Sequence, residues 1–425
     1  MLAMIGLVLL WLTPFSILKN MQIFFVAIVI VSMFRLFAKR PVNCGQLIDV
    51  GPLLELKKIR FFLLAVVLYA LLGSFISILI LLSSGDADIF ELAWRFFSQF
   101  AALLIYMFTI VCGYHMAVHF DIYRIRQAIY IPFLLMVSIC VYQVFSESWG
   151  LPYIGNYVVD KFVGLRPSGL AGEPKYLASY LAVVFFFLLY ELKAGKSRFG
   201  QFGYFIKLSG LAAAAYFFLA AASGNGFLAF FVLLLVYFTR LRIWQQLVVG
   251  AAMVVILLWL GSQIAAGGLG LRGSHQDIID NLGNLDLSNL DDLIALPLMA
   301  WRDNGWNLLF GFGPGLMHFF ARRYMNFATW LTDETYIEGN VSAITFISNF
   351  GLVLFATLFV FFAKRSWFTI NSQSKLGSFP VNSFFVSSFF VGALVGGNSS
   401  IPFFLSLGWI LRWSVQRKSI KSVVQ

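Results

Sequence analysis

Apolar residues fall along this chain in long, nearly unbroken runs, at approximately 2–18, 21–37, 61–83, 96–118, 128–146, 176–190, 208–223, 226–239, 244–262, 341–363, 381–396 and 400–412. A helix needs about 20 apolar residues to cross a bilayer, whereas a membrane β-barrel shows alternation with a period of two. The pattern therefore predicts an all-α polytopic membrane protein of about 12 transmembrane helices, residues 1–425 forming a single membrane domain. The first run has no basic residue before it and no small-residue cleavage site after it, so it is read as a helix and not as a signal peptide.

Two polar interruptions are longer than a helical connection requires. One is 146–175, expected as an external, re-entrant-like segment; the other is 263–340, expected as a large periplasmic loop carrying amphipathic helices. In the second, Asp291 and Asp292 are placed to cap a helix running to Trp306, with Pro297 bending or restarting it. After Gly311-Phe312-Gly313-Pro314-Gly315, the stretch Leu316 to Leu331 reads as another amphipathic helix.

Composition agrees with the runs: of 425 residues, 60% are hydrophobic and 12% charged, with a mean hydropathy of +0.86. Soluble domains carry roughly a quarter charged residues. The net charge of +11 changes meaning once it is mapped onto the runs. With the N-terminus in the cytoplasm, about 21 of the 30 lysines and arginines fall on the inner side, while of the 19 acids only Asp49, Glu55, Asp121 and Glu191 do. This is the positive-inside asymmetry. Both termini are then cytoplasmic, the excess charge is a topology signal, and no nucleic acid is implied. The isolated Cys44, Cys112 and Cys140 read as small apolar residues, spaced for neither a metal nor a disulfide framework.

Candidate chemistry sits in the two long segments. Arg166-Pro167-Ser168-Gly169-Leu170-Ala171-Gly172-Glu173-Pro174-Lys175-Tyr176 carries two prolines and two glycines that keep it from regular helix. It delivers an arginine, a glutamate and a lysine to the mouth of a span. Two readings stand: a re-entrant cradle lining a watery cavity, or an interfacial loop whose Arg166 pairs with Glu173 or reaches lipid phosphate. In the long loop, His318 and Arg322 lie four apart on one helical face with Arg323 beside them. The glycine-rich stretch before them is either a plain turn or a set of open N–H groups suited to a phosphate. Ser223-Gly224-Asn225-Gly226 is a tight turn between two helices, and His115 with His119 suits a helix-end dipole role better than a metal.

Arginines above a hydrophobic bundle suit a diphosphate carried on a lipid, because a guanidinium binds phosphate in fixed fork geometry and stays charged. If the lipid carries a sugar, attack at its anomeric carbon needs a stabilised leaving diphosphate and a base. Arg166, His318 and Glu173 form the candidate catalytic set, and Arg322, Arg323, Arg302, Lys175 and Gly313 the candidate substrate-binding set. No metal and no cofactor is expected, since arginines can neutralise the leaving group and no nucleotide-binding motif is present.

With these motifs in place, the chain resembles the bacterial O-antigen and capsular polysaccharide polymerases and the related O-antigen ligases. The resemblance rests on Arg166-x-x-Gly169-x-x-x-Glu173-Pro174 before a span and on Ser223-Gly224-Asn225-Gly226. It rests also on the large late loop with Gly311-x-Gly313-x-Gly315, and on a span containing Asn349-Phe350-Gly351-Leu352. It covers about Arg166 to Lys364. The chain departs from the family at Lys175, where a small polar residue is common, and in the Ser223 turn, which lacks an arginine often found there.

The resemblance implies a metal-independent, inverting glycosyltransferase with a membrane fold similar to the GT-C class. Such an enzyme passes a growing glycan from undecaprenyl diphosphate to a lipid-linked repeat unit at the periplasmic face of the inner membrane. The implied partners are undecaprenyl-diphosphate-linked oligosaccharides, membrane lipids and a chain-length regulator protein. Two other functions stay open: a ligase or protein glycosyltransferase of the same superfamily, and a secondary transporter or flippase of lipid-linked sugars. Against the transporter stand the lack of an internal repeat and the scarcity of charges within the runs.

Overall fold

The computed structural model describes residues 50–85, 88–119, 121–152, 158–160, 164–169, 171, 173–194, 200–221, 223–238, 292–321, 342–371, 379–395 and 403–412. Each predicted run that falls on these residues is a helix. They are α1 (Val50–Ser84), α2 (Ile89–His119), α3 (Ile122–Ser148), α4 (Pro174–Lys193), α5 (Gly200–Ala220), α6 (Gly224–Phe238), α10 (Ser342–Asn371), α11 (Phe379–Leu394) and α12 (Phe403–Arg412). The interruption between α6 and α10 adds α7 (Asp292–Asp303), α8 (Gly305–Phe310) and α9 (Met317–Ala321). Among the described residues, five stretches are long and apolar enough to cross a membrane: Leu64–Ser84, Ile122–Ser146, Pro174–Lys193, Gly203–Ala220 and Ala343–Ile370. The chain is thus a helical membrane protein. The runs at 2–18, 21–37 and 244–262 lie outside the described residues.

The larger core is built around α4. Leu177, Ala178, Leu181, Ala182, Val184, Phe187 and Leu188 are all fully buried, as expected of a helix that is apolar on every side and enclosed by neighbours. Around it stand α3, α5, α6 and α11. Small residues set the closest approaches: a Cβ on Gly226 of α6 would run into Ala178 of α4, and α2 crosses α12 where Gly113 and Gly408 meet backbone. Close backbone approach of this kind is how membrane helices associate, since lipid gives them no hydrophobic drive to do so. Two pairs of polar groups link helices inside the core, with Tyr237 Oη on Ser383 O at 2.9 Å and Trp409 Nε1 on Asn382 Oδ1 at 2.9 Å.

A second, smaller core joins the late segment to the first helices. Leu296, Trp301, Phe312, Leu316, Phe319 and Phe320 pack with Leu81 of α1 and Leu92 of α2. Here the structure adds detail to several sequence expectations. The helix predicted to be bent or restarted at Pro297 continues through that proline as one element to Asp303, with α8 starting at Gly305. Of the helix expected over Leu316 to Leu331, the described part is the single turn α9. The span expected over 341–363 extends to Asn371 and is broken at Gly351, whose φ of 79° is left-handed. Finally, 146–175 is not wholly irregular: Val158–Asp160 (β1) and Gly164–Arg166 (β2) pair antiparallel, with Val158 opposite Arg166.

Candidate functional site

Arg166 is the last residue of β2 and leads into a segment drawn inside the helix bundle. Pro167, Ser168, Gly169 and Ala171 are buried, and one side chain anchors the segment: Gln143, near the C-terminal end of α3 and itself fully buried. Its Oε1 accepts from the Ser168 amide at 3.1 Å and the Gly169 amide at 2.8 Å, and its Nε2 donates to Gly169 O at 3.1 Å. A side-chain amide thus replaces the backbone partners that this irregular stretch lacks, meeting the demand that buried amides be satisfied. Gly169 has a φ of +56°, and a Cβ there would collide with Met136 and Cys140 of α3, so glycine is required twice over.

The Arg166 guanidinium is fixed by the other candidate turn. Its Nε and Nη2 donate to Ala221 O at 2.9 and 2.7 Å, at the C-terminal end of α5 and two residues before Ser223. Two motifs far apart in sequence are therefore one structural unit. Arg166 is half-buried, with its outer donors in a fork that the carbonyl holds still. The expected alternative partner, Glu173, pairs elsewhere: its Oε2 lies 2.9 Å from Lys175 Nζ, and half of its side chain is exposed. Glu173 caps α4 with extended backbone because Pro174 follows it, proline being favoured as the first helical residue. Its carboxylate makes no cap hydrogen bond and stands at the positive end of the α4 dipole. Lys175 also lies 5.1 Å from the Tyr176 ring.

The Gly311–Gly315 stretch is built differently. The Gly311 amide donates to Asn307 O, Phe312 to Ser348 O at 2.7 Å, Gly313 to Asn349 O at 3.1 Å, Gly315 to Asn349 Oδ1 at 3.3 Å and Leu316 to Gly313 O at 3.2 Å. Every amide expected to face a phosphate is already donated within the protein, and Gly313 is buried. In this structure the glycines, Gly313 of the expected substrate-binding set among them, form a joint. They seat the stretch on the break in α10, where a Cβ on Gly311 would stand 2.6–2.7 Å from backbone atoms of Asn349, Phe350 and Gly351. Around the same joint, Ser77 Oγ, Asn307 Nδ2 and Ser348 Oγ are buried without a hydrogen-bond partner in the protein.

His318 follows this joint into the second core. It is 1% exposed, on a turn whose five residues are all buried, with the Phe319 ring edge-on at 5.6 Å. A base that touches an incoming hydroxyl must be reachable, and in this structure His318 is enclosed. Arg302 is exposed and bound to its neighbour, Nε to Asp303 Oδ1 at 3.0 Å. Arg322 and Arg323 lie outside the described residues.

At the opposite end of the same bundle the structure holds an ionic cluster that the sequence reading missed. Glu191 of α4, 1% exposed, lies between Arg126 of α3 and Lys207 of α5, with Arg126 Nε at 2.7 Å from Oε1 and Lys207 Nζ at 3.3 Å from Oε2. The Arg126 contact is an ion pair off the line of a hydrogen bond, while Lys207 also donates to Glu191 O at 3.1 Å. It ties three helices together where each turns. Three charges separated by 65 and 16 residues in sequence give no local signal, which is why the sequence placed them only by side of the membrane. No family model and no curated protein matches the chain.

Proposed function

We propose that the chain is a polysaccharide polymerase. It transfers a growing glycan from undecaprenyl diphosphate to a lipid-linked repeat unit at the outer face of the bacterial inner membrane, with inversion and without a metal. The observation that supports this best is the anchoring of Arg166 by Ala221 O, which joins the Arg166–Tyr176 segment to the Ser223 turn. A guanidinium held by a backbone carbonyl is fixed in one orientation, the preorganisation that a departing diphosphate rewards. Lys175, at the start of α4, adds a second cation in the same segment. Glu173, half exposed at the same mouth, is the group best placed to take the proton of the incoming hydroxyl.

In this reading Arg166 and Lys175 bind and stabilise the diphosphate as the anomeric C–O bond breaks, and Glu173 activates the acceptor hydroxyl on the opposite face of the sugar. The late glycine joint shapes the enzyme but does not touch substrate. The test is to incubate the purified protein with lipid-diphosphate-linked repeat units, without added metal or nucleotide, and resolve the products by size. A ladder of longer glycans that Arg166→Ala abolishes, in a protein that still inserts and purifies as a single species, is the expected result. A ladder undiminished in Arg166→Ala overturns the role of this arginine, and a single transfer onto a lipid A core acceptor identifies a ligase instead.

A further inference from the structure

The polar interruption that contains α7, α8 and the glycine joint was expected as a large external loop with amphipathic helices, yet it contacts residues that lie within the apolar spans, those of α1 in the middle of its span. Tyr69 Oη of α1 donates to Leu309 O at 3.2 Å, and the Tyr69 ring lies 6.2 Å from Phe310. A Cβ on Gly73 would come within 2.9 Å of Phe310 O, and one on Gly313 would meet Ser74. All three α1 residues lie inside the span Leu64–Ser84. At 1.5 Å per residue, Gly73 is about 16 Å and Tyr69 about 22 Å below Ser84, against a hydrocarbon core about 30 Å thick. On the other side, the same stretch docks at Ser348–Gly351, within the span Ala343–Ile370.

We infer that α8 and the glycine joint form a re-entrant element inserted into the hydrocarbon layer between α1 and α10, with Leu309 and Phe310 at its tip. The occupant facing its outer surface is the acyl-chain region of the bilayer. Trp306 is 75% exposed, and Leu309 and Phe310 are each 38% exposed; large apolar side chains left uncovered at this depth match lipid tails and not water. The backbone gives an independent reason. Irregular backbone survives in hydrocarbon only when its polar groups are satisfied inside the protein. The backbone amides of Gly311, Phe312, Gly313, Gly315 and Leu316 are, and Leu309 O takes the Tyr69 hydroxyl, while the side-chain atoms Ser77 Oγ, Asn307 Nδ2 and Ser348 Oγ have no partner in the protein. The six residues of α8 span about 9 Å, which carries the exposed Arg302–Asp303 ion pair away from the tip toward the headgroups.

The test uses the full chain with Cys44→Ser and the buried Cys112 and Cys140 retained. Cysteines are introduced singly as Trp306→Cys, Leu309→Cys, Asp303→Cys, Leu72→Cys and Ser84→Cys. Each variant is nitroxide-labelled, reconstituted in phosphatidylcholine vesicles, and probed for collision with dissolved oxygen and with a water-soluble nickel chelate. Labels at 306 and 309 are expected to favour oxygen several-fold, as at Leu72, which is exposed on α1 at the same level. The labels at 303 and 84 are expected to be shallower. Preferential collision with nickel at either 306 or 309 overturns the inference; because Trp306 makes few contacts, its variant remains informative even if Leu309→Cys fails to fold. The outcome is independent of the proposed chemistry, which this element does not perform.

Discussion

Two glycine-bearing irregular stretches, Arg166–Lys175 and Gly311–Gly315, carry the same kind of sequence signal, and the structure uses them in opposite ways. The first is held by a side chain, Gln143, reaching out from α3, so its own charged residues stay at the surface of the bundle. The second is held by backbone against backbone at the break in α10, so its amides are consumed and the histidine after it is buried. A glycine run marks where chain comes close to something; what it approaches decides whether the result is a site or a joint.

The largest effect is expected where backbone meets backbone. Gly351→Ala places a Cβ against Leu309 O and forces a left-handed residue into a conformation that only glycine adopts readily. Strain and overpacking together are expected to cost on the order of 2–6 kcal/mol. Size-exclusion chromatography in detergent is expected to show loss of the folded peak, and a variant as stable as the native chain would show that the joint is loose.

Next comes the clamp on the first stretch. Gln143→Leu keeps the volume but orphans the Ser168 and Gly169 amides, at about 1–3 kcal/mol each. Thermal unfolding is expected at lower temperature, with polymer yield falling further than stability because Arg166 loses its seat. Equal losses in both would make Gln143 a packing residue only. The smallest effect on product is expected from His318→Gln: some stability is lost from the second core, but the glycan ladder keeps its length. A shortened or absent ladder in a stably folded His318→Gln protein would return the base role to this residue.

Much of the helical frame was legible, because a run of apolar residues bounded by charge has one low-energy form in a bilayer. The start of α4 was legible only to within two residues: the apolar run begins at 176, whereas the helix begins at Pro174, where proline fixes both its own backbone and that of Glu173 before it. The functions of Gln143 and Ala221 were not legible. Gln143 is one polar residue inside an apolar run, and its partners come 25 and 26 residues later. Ala221 contributes only a carbonyl, which every residue has. The break in α10 was hidden too, because Gly351 sits in a run whose composition remains that of a continuous span and whose bend depends on a loop that precedes it by about 40 residues.

The contrast between site and joint rests on Arg166, and the most direct measurement is polymerisation by Arg166→Lys, compared with the native protein on lipid-diphosphate-linked repeat units. Lysine keeps the charge but loses the fork that grips Ala221 O. The expected result is a folded protein that makes no ladder. A lysine variant producing a ladder of native length and yield would contradict the claim that a fixed guanidinium fork at this position drives the reaction.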